Sequence, residues 1–325
     1  MNATVIAFPT VESLSEEIRG VVFERQTLRA VGAGTLALGT ANAGREAGAW
    51  KRGAPMPLPR SEVAAATVGD ELVVAGGFLA DGRSSKRVDA YSPARNRWRR
   101  LPDLPAAVNH AMAASDGHRL YLVGGYGAPS RASVFSGGHW RRLPDLPEPR
   151  AAAGAAIVGR TLYVIGGVVA GGLAQRSLAF DLQTRRWTRI PGPRPREHLG
   201  VSALGGRVYA VAGREAGTNF DAFQAYLPKR RRWVSLPSVP ETRGGTDSAS
   251  VGPLLVSAGS ESPAGTSAAV YAFDVRTRRW RRLPDLPTAR HGLGVLGFGG
   301  RVYVIGGGPT PGLSVSGANE FLQLR

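Results

Sequence analysis

The sequence predicts an all-β fold in which six copies of one small sheet form a closed ring. Two series of markers repeat with the same period across residues 46–325. The first comprises all six tryptophans, which are 48, 42, 47, 46 and 47 residues apart. The second is a glycine that ends a short apolar run in every repeat. One tryptophan, Trp50, stands early, and a further step beyond the last would pass residue 325, so the phase of the series indicates a ring.

The glycine markers follow runs of β-branched and aromatic residues, which are typical of buried strands. They are Gly77, Gly125, Gly167, Gly213, Gly259 and Gly307. Four of them complete a Gly-Gly doublet, whereas Ala212 and Ala258 stand in the first position of the other two. A doublet permits positive φ and a close approach of neighbouring backbone, so each marker predicts the end of a strand.

Each repeat continues with an aromatic residue, then the tryptophan, and ends in a proline-rich connector. The aromatics are Tyr91, Phe135, Phe180, Tyr226, Phe273 and Phe321. In the second repeat only residues 136–139 separate the aromatic from the tryptophan, which predicts a tight hairpin. Connector prolines, as in residues 101–105, stop the strand and define the turn. This order predicts four short strands per repeat, and sheets this small bury both faces only by stacking radially, with large aromatics between them.

This pattern resembles the kelch repeat, whose period is about 50 residues. The resemblance covers residues 46–325 in six in-phase copies and implies a six-bladed kelch-type β-propeller with four antiparallel strands per blade. The last repeat stops in its third strand, at residues 320–325. Residues 48–52 carry the missing tryptophan strand, so an N-terminal outer strand is expected to close the ring and cover two open blade faces.

Residues 1–45 lie outside the repeats and are expected to be a leader, either a signal peptide or a disordered segment. A basic stretch at residues 25–29 precedes a weakly apolar run and an A-x-A pattern at residues 41–43, as at a signal cleavage site. Glu24 stands where a twin-arginine signal has its first arginine, and further acidic residues precede it. The sequence leaves open whether the protein is exported or cytoplasmic. It contains no apolar stretch as long as a membrane helix.

The composition is strongly basic and lacks cysteine. The net charge is +17, and all but three of the 41 basic residues are arginines, a bias expected from a GC-rich bacterial genome. Arginines also crowd the tryptophan hairpins, which predicts a basic belt that binds polyanions weakly, unless these charges only protect exposed strand edges. The absence of cysteine excludes disulfides, cysteine–zinc sites and the cysteine-modified tyrosine of galactose oxidase, a kelch-type enzyme.

The loops from the connectors into the innermost strands are expected at the mouth of a central channel, together with the loops after the glycine markers. In kelch proteins the arginine of the first loop is mostly structural, and the residue after it more often faces the pocket. The candidate ligand-binding residues are Ser61, Asn109, Glu197, His198, Arg214, Glu215 and His291. The fourth repeat has the densest mixed charge among them, suited either to acid–base chemistry or to a structural ion cluster.

The sequence predicts a binding or interaction module with a protein or glycan ligand at the channel mouth. Only 10–14 residues separate each glycine marker from the next aromatic, so no insertion is long enough to form a lid. The resemblance to bacterial kelch proteins such as the N-acetylneuraminate epimerases implies an alternative, a mutarotase acting on an acidic sugar. Its catalytic groups would be Glu197, His198, Arg214 and Glu215. A polyanion-binding surface protein is the third hypothesis.

No cofactor is expected, and the protein is expected to be a monomer. Three histidines, His110, His198 and His291, fall on the same rim of the ring. They come from different blades, and histidine at this point of the repeat commonly packs or forms hydrogen bonds. The sequence therefore predicts no metal site.

Overall fold

Residues 48–324 are described by the computed structural model, in which they form a six-bladed β-propeller. Every blade is a sheet of four antiparallel strands, and the only helix in residues 48–324 is one 3₁₀ turn, Pro228–Arg230. The predicted all-β, six-bladed architecture is confirmed. The leader expected at residues 1–45 lies outside the described residues. Within residues 48–324, no helix has the length and hydropathy needed to cross a membrane.

The strands are numbered along the chain, and the innermost strand of each blade lines the central channel. The first half of the ring contains β1 (Lys51–Arg52), β2 (Ala64–Val68), β3 (Glu71–Ala75), β4 (Val88–Ser92), β5 (Arg97–Leu101), β6 (Met112–Ser115), β7 (Leu120–Val123), β8 (Ala132–Ser136), β9 (His139–Arg142), β10 (Gly154–Val158), β11 (Thr161–Ile165), β12 (Val168–Val169), β13 (Gly172–Leu173), β14 (Arg176–Asp181) and β15 (Arg186–Pro191). Blade 1 is β2–β5, blade 2 is β6–β9, and blade 3 is β10, β11, β14 and β15.

The second half contains β16 (Gly200–Leu204), β17 (Arg207–Val211), β18 (Arg214–Glu215), β19 (Thr218–Asn219), β20 (Phe223–Leu227), β21 (Arg232–Ser235), β22 (Asp247–Val251), β23 (Leu254–Ala258), β24 (Glu261–Ser262), β25 (Gly265–Thr266), β26 (Val270–Asp274), β27 (Arg279–Leu283), β28 (Gly294–Phe298), β29 (Arg301–Ile305) and β30 (Asn319–Gln323). Blade 4 is β16, β17, β20 and β21; blade 5 is β22, β23, β26 and β27; blade 6 is β28, β29, β30 and β1. The pairs β12–β13, β18–β19 and β24–β25 are small separate hairpins.

The tryptophans connect each blade to the connector that precedes it. All six indole nitrogens donate to a backbone carbonyl oxygen there, at 2.8–2.9 Å; Trp187, for example, donates to Pro144. In blades 1–5 the indole also stands opposite the aromatic of the neighbouring strand, as Trp187 does with Phe180, their rings 4.7 Å apart. The regular spacing of the tryptophans therefore follows from two contacts, one with the neighbouring connector in all six blades and one within the sheet in blades 1–5.

The apolar core is divided into six clusters, one between each pair of neighbouring blades. Five connector arginines are completely buried beside these clusters, namely Arg60, Arg150, Arg196, Arg243 and Arg290. Each donates to carbonyl oxygens of its own blade; Arg60, for example, donates to Gly76 and Arg87 and pairs with Asp89 at 2.6 Å. These arginines hold the connectors in place and do not face the channel.

Strand β1 lies at the outer edge of blade 6, antiparallel to β30. The chain then continues along the same blade, where the backbone N–H of Gly53 donates to Asn319 and that of Met56 donates to Gly317, both at 2.8 Å. The Met56 side chain is buried between blades 6 and 1. How much this segment stabilises the ring remains a prediction.

Candidate functional site

A belt of backbone hydrogen bonds surrounds the channel where the connectors enter the innermost strands. Its members hold one position in each repeat: Glu62, His110, Ala152, His198, Gly245 and Gly292. In blades 2–6 the belt residue donates its N–H to the carbonyl oxygen of the preceding belt residue, at 2.9–3.1 Å. Between blades 6 and 1, Val63 donates to Gly292 at 3.4 Å. The belt places one residue per blade at the same level of the channel, and four of the six have a side chain.

All six belt residues have a positive φ, between 49° and 71°. This conformation costs a residue other than glycine about 1–3 kcal/mol, which the surrounding hydrogen bonds must offset. Ala152 has the same conformation as His198, so the strain belongs to the propeller and does not mark a functional side chain. Glycine at position 292 also leaves room for the Glu62 carboxylate, which a Cβ atom there would overlap.

Glu62 lies at the centre of a buried polar cluster. Its Oε2 atom is 3.2 Å from Nε2 of His110 and 3.8 Å from Nε2 of His198, and its Oε1 atom is 3.2 Å from Nδ1 of His291. Burial alone would raise the pKa of Glu62, but the three histidines outweigh it and lower that pKa well below its usual value. The carboxylate is therefore charged at neutral pH.

Arg214 joins two further carboxylates to this cluster. Its Nε atom donates to Glu197 at 2.9 Å, and its Nη1 atom donates to Glu261 at 2.8 Å. The second oxygen of Glu197 accepts a hydrogen bond from Nδ1 of His198. Burial would raise the pKa of Glu197, but His198 and Arg214 lower it to about 2. Burial lowers the pKa of Arg214, but the two carboxylates outweigh it and the net shift is upward, so the pair of Arg214 and Glu197 is ionised at neutral pH.

His291 is surrounded by acceptors alone. Its Nε2 atom is 3.1 Å from the carbonyl oxygens of Thr310 and Gly312, and its Nδ1 atom is 3.2 Å from Glu62 and 3.5 Å from Glu261. Burial lowers the pKa of His291, but the two carboxylates outweigh it and the net shift is upward. The ring lies between Glu62 and Glu261, and these carboxylates favour its protonated form.

Aromatic rings hold His110 in place. Phe78 and Tyr126 contact it edge-on, with ring centroids 5.6 and 5.3 Å away, and the His198 ring lies 4.8 Å away. Phe78 and Tyr126 come from the loops after the glycine markers of blades 1 and 2. The two kinds of loop predicted at the channel mouth thus meet around this histidine.

Behind the belt, the innermost strands line a cavity of about 360 Å³ whose wall consists mainly of alanine, serine and other small residues. Asp247, the first residue of β22, is an acid in this wall. Its carboxylate accepts the backbone N–H groups of Ser248 at 2.7 Å and Val295 at 2.9 Å. Burial without a cationic partner raises the pKa of Asp247 to about 7.

The structure brings four of the seven predicted ligand-binding residues into the cluster: Glu197, His198, Arg214 and His291. Asn109 contacts it through its side-chain oxygen, which is 2.5 Å from Nδ1 of His110. Ser61 is buried in backbone pairing with Phe78, and its hydroxyl has no hydrogen-bond partner within residues 48–324. Glu215 is exposed in the β18–β19 hairpin, outside the cluster.

Sequence reasoning did not select Glu62, His110 and Glu261 as site residues, and it missed Asp247 altogether. Glu62 and His110 hold the same repeat position as His198, so an alignment of the repeats contained the signal. Their origin in different blades gave no reason to assume that the three rim histidines converge, but residues one blade or more apart reach the same carboxylate across the narrow belt.

Glu261 was hidden by a shift of one residue in the fifth repeat. The backbone N–H of Ser260 donates to the carbonyl oxygen of Arg290, the connector arginine of the next blade. In blade 4 the N–H of Gly213 makes the same bond to Arg243. Gly259 therefore corresponds to Ala212, the first position of the doublet, and its assignment as the second-position marker is corrected. With this alignment Glu261 is the counterpart of Arg214, the residue to which it is ion-paired.

Comparison with known families finds two matches. Residues 138–307, just over half of the chain, match the family model described as the KLHDC2/KLHL20/DRC7 Kelch-repeats domain. Residues 59–105, which contain blade 1, match the Kelch motif. No curated protein matches the sequence.

Proposed function

The chain belongs to the KLHDC2/KLHL20/DRC7 Kelch-repeats domain family, and from this premise we propose that it is an interaction module that binds a polar ligand at the channel mouth. The observation that carries the proposal is the convergence of charged and imidazole side chains from blades 1, 2, 4, 5 and 6 on the belt. A concave site with a few convergent polar groups is the usual setting for ligand recognition.

The charges of the cluster favour a ligand that donates hydrogen bonds over one that is an anion. Three carboxylates, those of Glu62, Glu197 and Glu261, face one permanent cation, Arg214, and the imidazole of His291, whose pKa is raised. The Nε and Nη1 groups of Arg214 are already bonded to carboxylates. Glycan hydroxyls, or the ammonium or guanidinium group of a protein partner, would complement this surface.

The loop of blade 6 at the mouth provides an apolar contact beside these charges. Leu313, which is 54% exposed, is the only large hydrophobic residue exposed in residues 48–324. It lies in the loop whose carbonyl oxygens at Thr310 and Gly312 face His291. A single exposed leucine is not a site by itself. Its position next to the cluster gives a partner one apolar and several polar contacts.

The proposal is tested by a binding screen with a matched pair of variants. Glycans, amines and short basic peptides are screened against the full chain by the change in melting temperature, and hits are titrated by calorimetry. Glu197→Gln should weaken the hits at least tenfold, because it removes a charge from the cluster. Glu215→Gln, at the residue directly after Arg214 and exposed to solvent, should leave binding unchanged. Equal affinity of all three proteins for every hit would refute a ligand site at the belt.

One observation keeps an acidic-sugar mutarotase as a second candidate, namely that Glu197, His198 and Arg214 share one network. Two features weaken it: the low pKa of Glu197 makes it a weak base, and Arg214 already binds two carboxylates. If this candidate is right, the protein should accelerate anomer exchange of N-acetylneuraminate in NMR spectra, and Arg214→Ala should slow it. A wild-type protein without effect on several acidic sugars would eliminate the mutarotase.

A further inference from the structure

We infer that Glu62, His110 and His198 bind a divalent first-row transition metal ion at the belt, with one carboxylate oxygen and two imidazole nitrogens as ligands. The ligand atoms are Oε2 of Glu62 and the Nε2 atoms of both histidines, all within 4.8 Å of one another. Ligand atoms about 2.1 Å from a tetrahedral ion are about 3.4 Å apart. The Glu62–His110 and Glu62–His198 distances of 3.2 and 3.8 Å bracket that value.

The hydrogen bonds of His110 leave its Nε2 atom as an acceptor. Its Nδ1 atom lies 2.5 Å from the side-chain oxygen of Asn109. The amide nitrogen of Asn109 donates to the Ser84 hydroxyl at 2.7 Å, and in this orientation the amide presents its oxygen to the histidine. With an oxygen acceptor at Nδ1, the neutral ring carries its proton there and presents an Nε2 lone pair towards Glu62.

The same arrangement occurs at His198. Its Nδ1 atom donates to Glu197, whose other oxygen is held by Arg214. A carboxylate or amide acceptor behind the ligating imidazole is the usual second shell of a metal-bound histidine, since it selects the tautomer and orients the ring. His198 thus also directs an Nε2 lone pair towards Glu62.

When both imidazoles are neutral, three acceptors face one another without a donor between them. Protonation of one imidazole would satisfy one of the two contacts with Glu62 and leave the other repulsive. A cation between the three atoms satisfies both, and it also offsets the cost of burying the carboxylate. This shared geometry, rather than the presence of histidines alone, is what distinguishes the site.

The neighbouring group of Glu62, Glu261 and His291 has comparable spacing but needs no ion. Both ring nitrogens of His291 face acceptor oxygens, and its Nδ1 atom pairs with both carboxylates by proximity. Glu261 accepts hydrogen bonds from Arg214 and from the Gly312 N–H. The role left to His291 is to hold Oε1 of Glu62, which turns Oε2 towards the two other histidines.

Imidazole and carboxylate ligands suit Zn²⁺, Fe²⁺ and their first-row neighbours, and three protein ligands leave coordination positions for water or a ligand. The inference goes beyond the proposed ligand-binding function and does not require it. Metal binding is measured on the protein alone, so either can fail without the other.

The test uses tag-free full-length protein that has been stripped with a chelator and dialysed. Calorimetric titration with Zn²⁺ should give one tight site per chain. A double variant, His110→Gln with His198→Gln, should weaken it at least 100-fold. The matched control is His118→Gln with His139→Gln, which removes two exposed histidines outside the belt and should leave affinity unchanged. Absence of a one-to-one site in the wild type, or equal affinity in both double variants, would overturn the inference.

Two further measurements separate a loss of metal ligands from a change in folding of the double belt variant. Glu62→Gln keeps both histidines and the side-chain volume, and it should still weaken Zn²⁺ binding at least tenfold in protein whose circular dichroism matches the wild type. Addition of Co²⁺ to the stripped wild type needs no variant and should produce intense visible bands of a low-coordinate ion. A spectrum equal to that of aqueous Co²⁺ would contradict the site.

Discussion

Asp247 shows how one buried side chain can set the response of the whole ring to pH. The carboxyl accepts two backbone N–H groups but has no cationic partner within residues 48–324, and burial raises its pKa from 3.8 to about 7. Between pH 3.8 and about pH 7 the folded protein keeps a proton on Asp247 that the unfolded chain has released. The contribution of Asp247 to stability is therefore greatest below pH 3.8 and is lost as the pH rises towards 7, by roughly 1.4 kcal/mol per pH unit.

The first prediction is that Asp247→Asn removes this component. Urea unfolding of wild type and variant is measured at intervals from pH 4 to pH 8, and the difference in their free energies of unfolding is plotted. That difference should move in favour of the variant as the pH rises to about 7 and then level off. Asp70→Asn, at an exposed turn, serves as the control and should show no such trend. Parallel curves for wild type and Asp247→Asn would show that Asp247 ionises normally.

At the same scale, the sequence predicted the level of the site but only part of its membership. Repeat phase placed Glu197, His198 and His291 at the mouth because backbone position follows from the repeat. It could not show which side chains lean across the channel, since that depends on small residues in other blades. Glu62 occupies the centre because Gly292 leaves room for it, and Arg214 rather than Glu215 turns inwards because β18 pairs in that register.

At the scale of elements, the tryptophans and aromatics predicted the blades because each marker makes a contact that recurs in every sheet. The hairpins β12–β13, β18–β19 and β24–β25 were not predicted, since strands of two residues have no periodicity to detect. The one-residue shift in the fifth repeat was not predicted either. Gly259 keeps the period of the glycine markers, but the residue that bonds to the connector arginine is the next one, Ser260. Repeat markers thus locate strands more reliably than they locate the loops that carry the site.

The second prediction concerns the segment that precedes blade 1. A chain that starts at residue 58 loses β1, the indole of Trp50, the buried Met56 side chain and the carbonyl of Ala54 that accepts the Trp98 indole. Exposure of the faces of blades 6 and 1 should cost about 5 kcal/mol, or 10 °C or more in melting temperature, and promote aggregation.

The control for this truncation is a chain that starts at residue 47 and keeps the whole segment. It should melt within a few degrees of the full chain, because every contact described for the segment is retained. Scanning calorimetry and light scattering are recorded on all three proteins. If both truncated chains melt together, the N-terminal strand does not secure the ring.

At the scale of the whole molecule, the arginines of the outer strands divide into two groups. Some are paired with the aspartate of their own connector, as Arg100 is with Asp103 and Arg282 with Asp285, both at 2.8 Å. Such exposed pairs stabilise little but reduce the local positive charge. Residues 229–232 around the 3₁₀ turn of blade 4 are exposed and form no ion pair within residues 48–324.

The third prediction is that the unpaired group dominates weak binding to polyanions. Counterion release makes the logarithm of the binding constant fall linearly with the logarithm of salt concentration, with a slope set by the number of phosphate or sulfate contacts. Changing Arg230, Arg231 and Arg232 to Gln should flatten that slope for heparin, measured by fluorescence titration between low and physiological salt. The fold should be retained, since none of the three side chains is buried.

Changing Arg100, Arg142 and Arg282 to Gln removes the same formal charge and provides the control. Each of these arginines is paired with an aspartate three residues away, so much of its field is cancelled at the roughly 8 Å over which charges act at physiological ionic strength. The control should therefore flatten the salt slope less than the blade 4 variant does. Equal slopes in the two variants would mean that heparin responds to net charge alone. If the wild type elutes from a heparin column at the same salt concentration as a neutral protein, the outer arginines do not bind polyanions. Their role would then be edge protection, because a charged outer strand resists pairing with another sheet whether or not it binds a polymer.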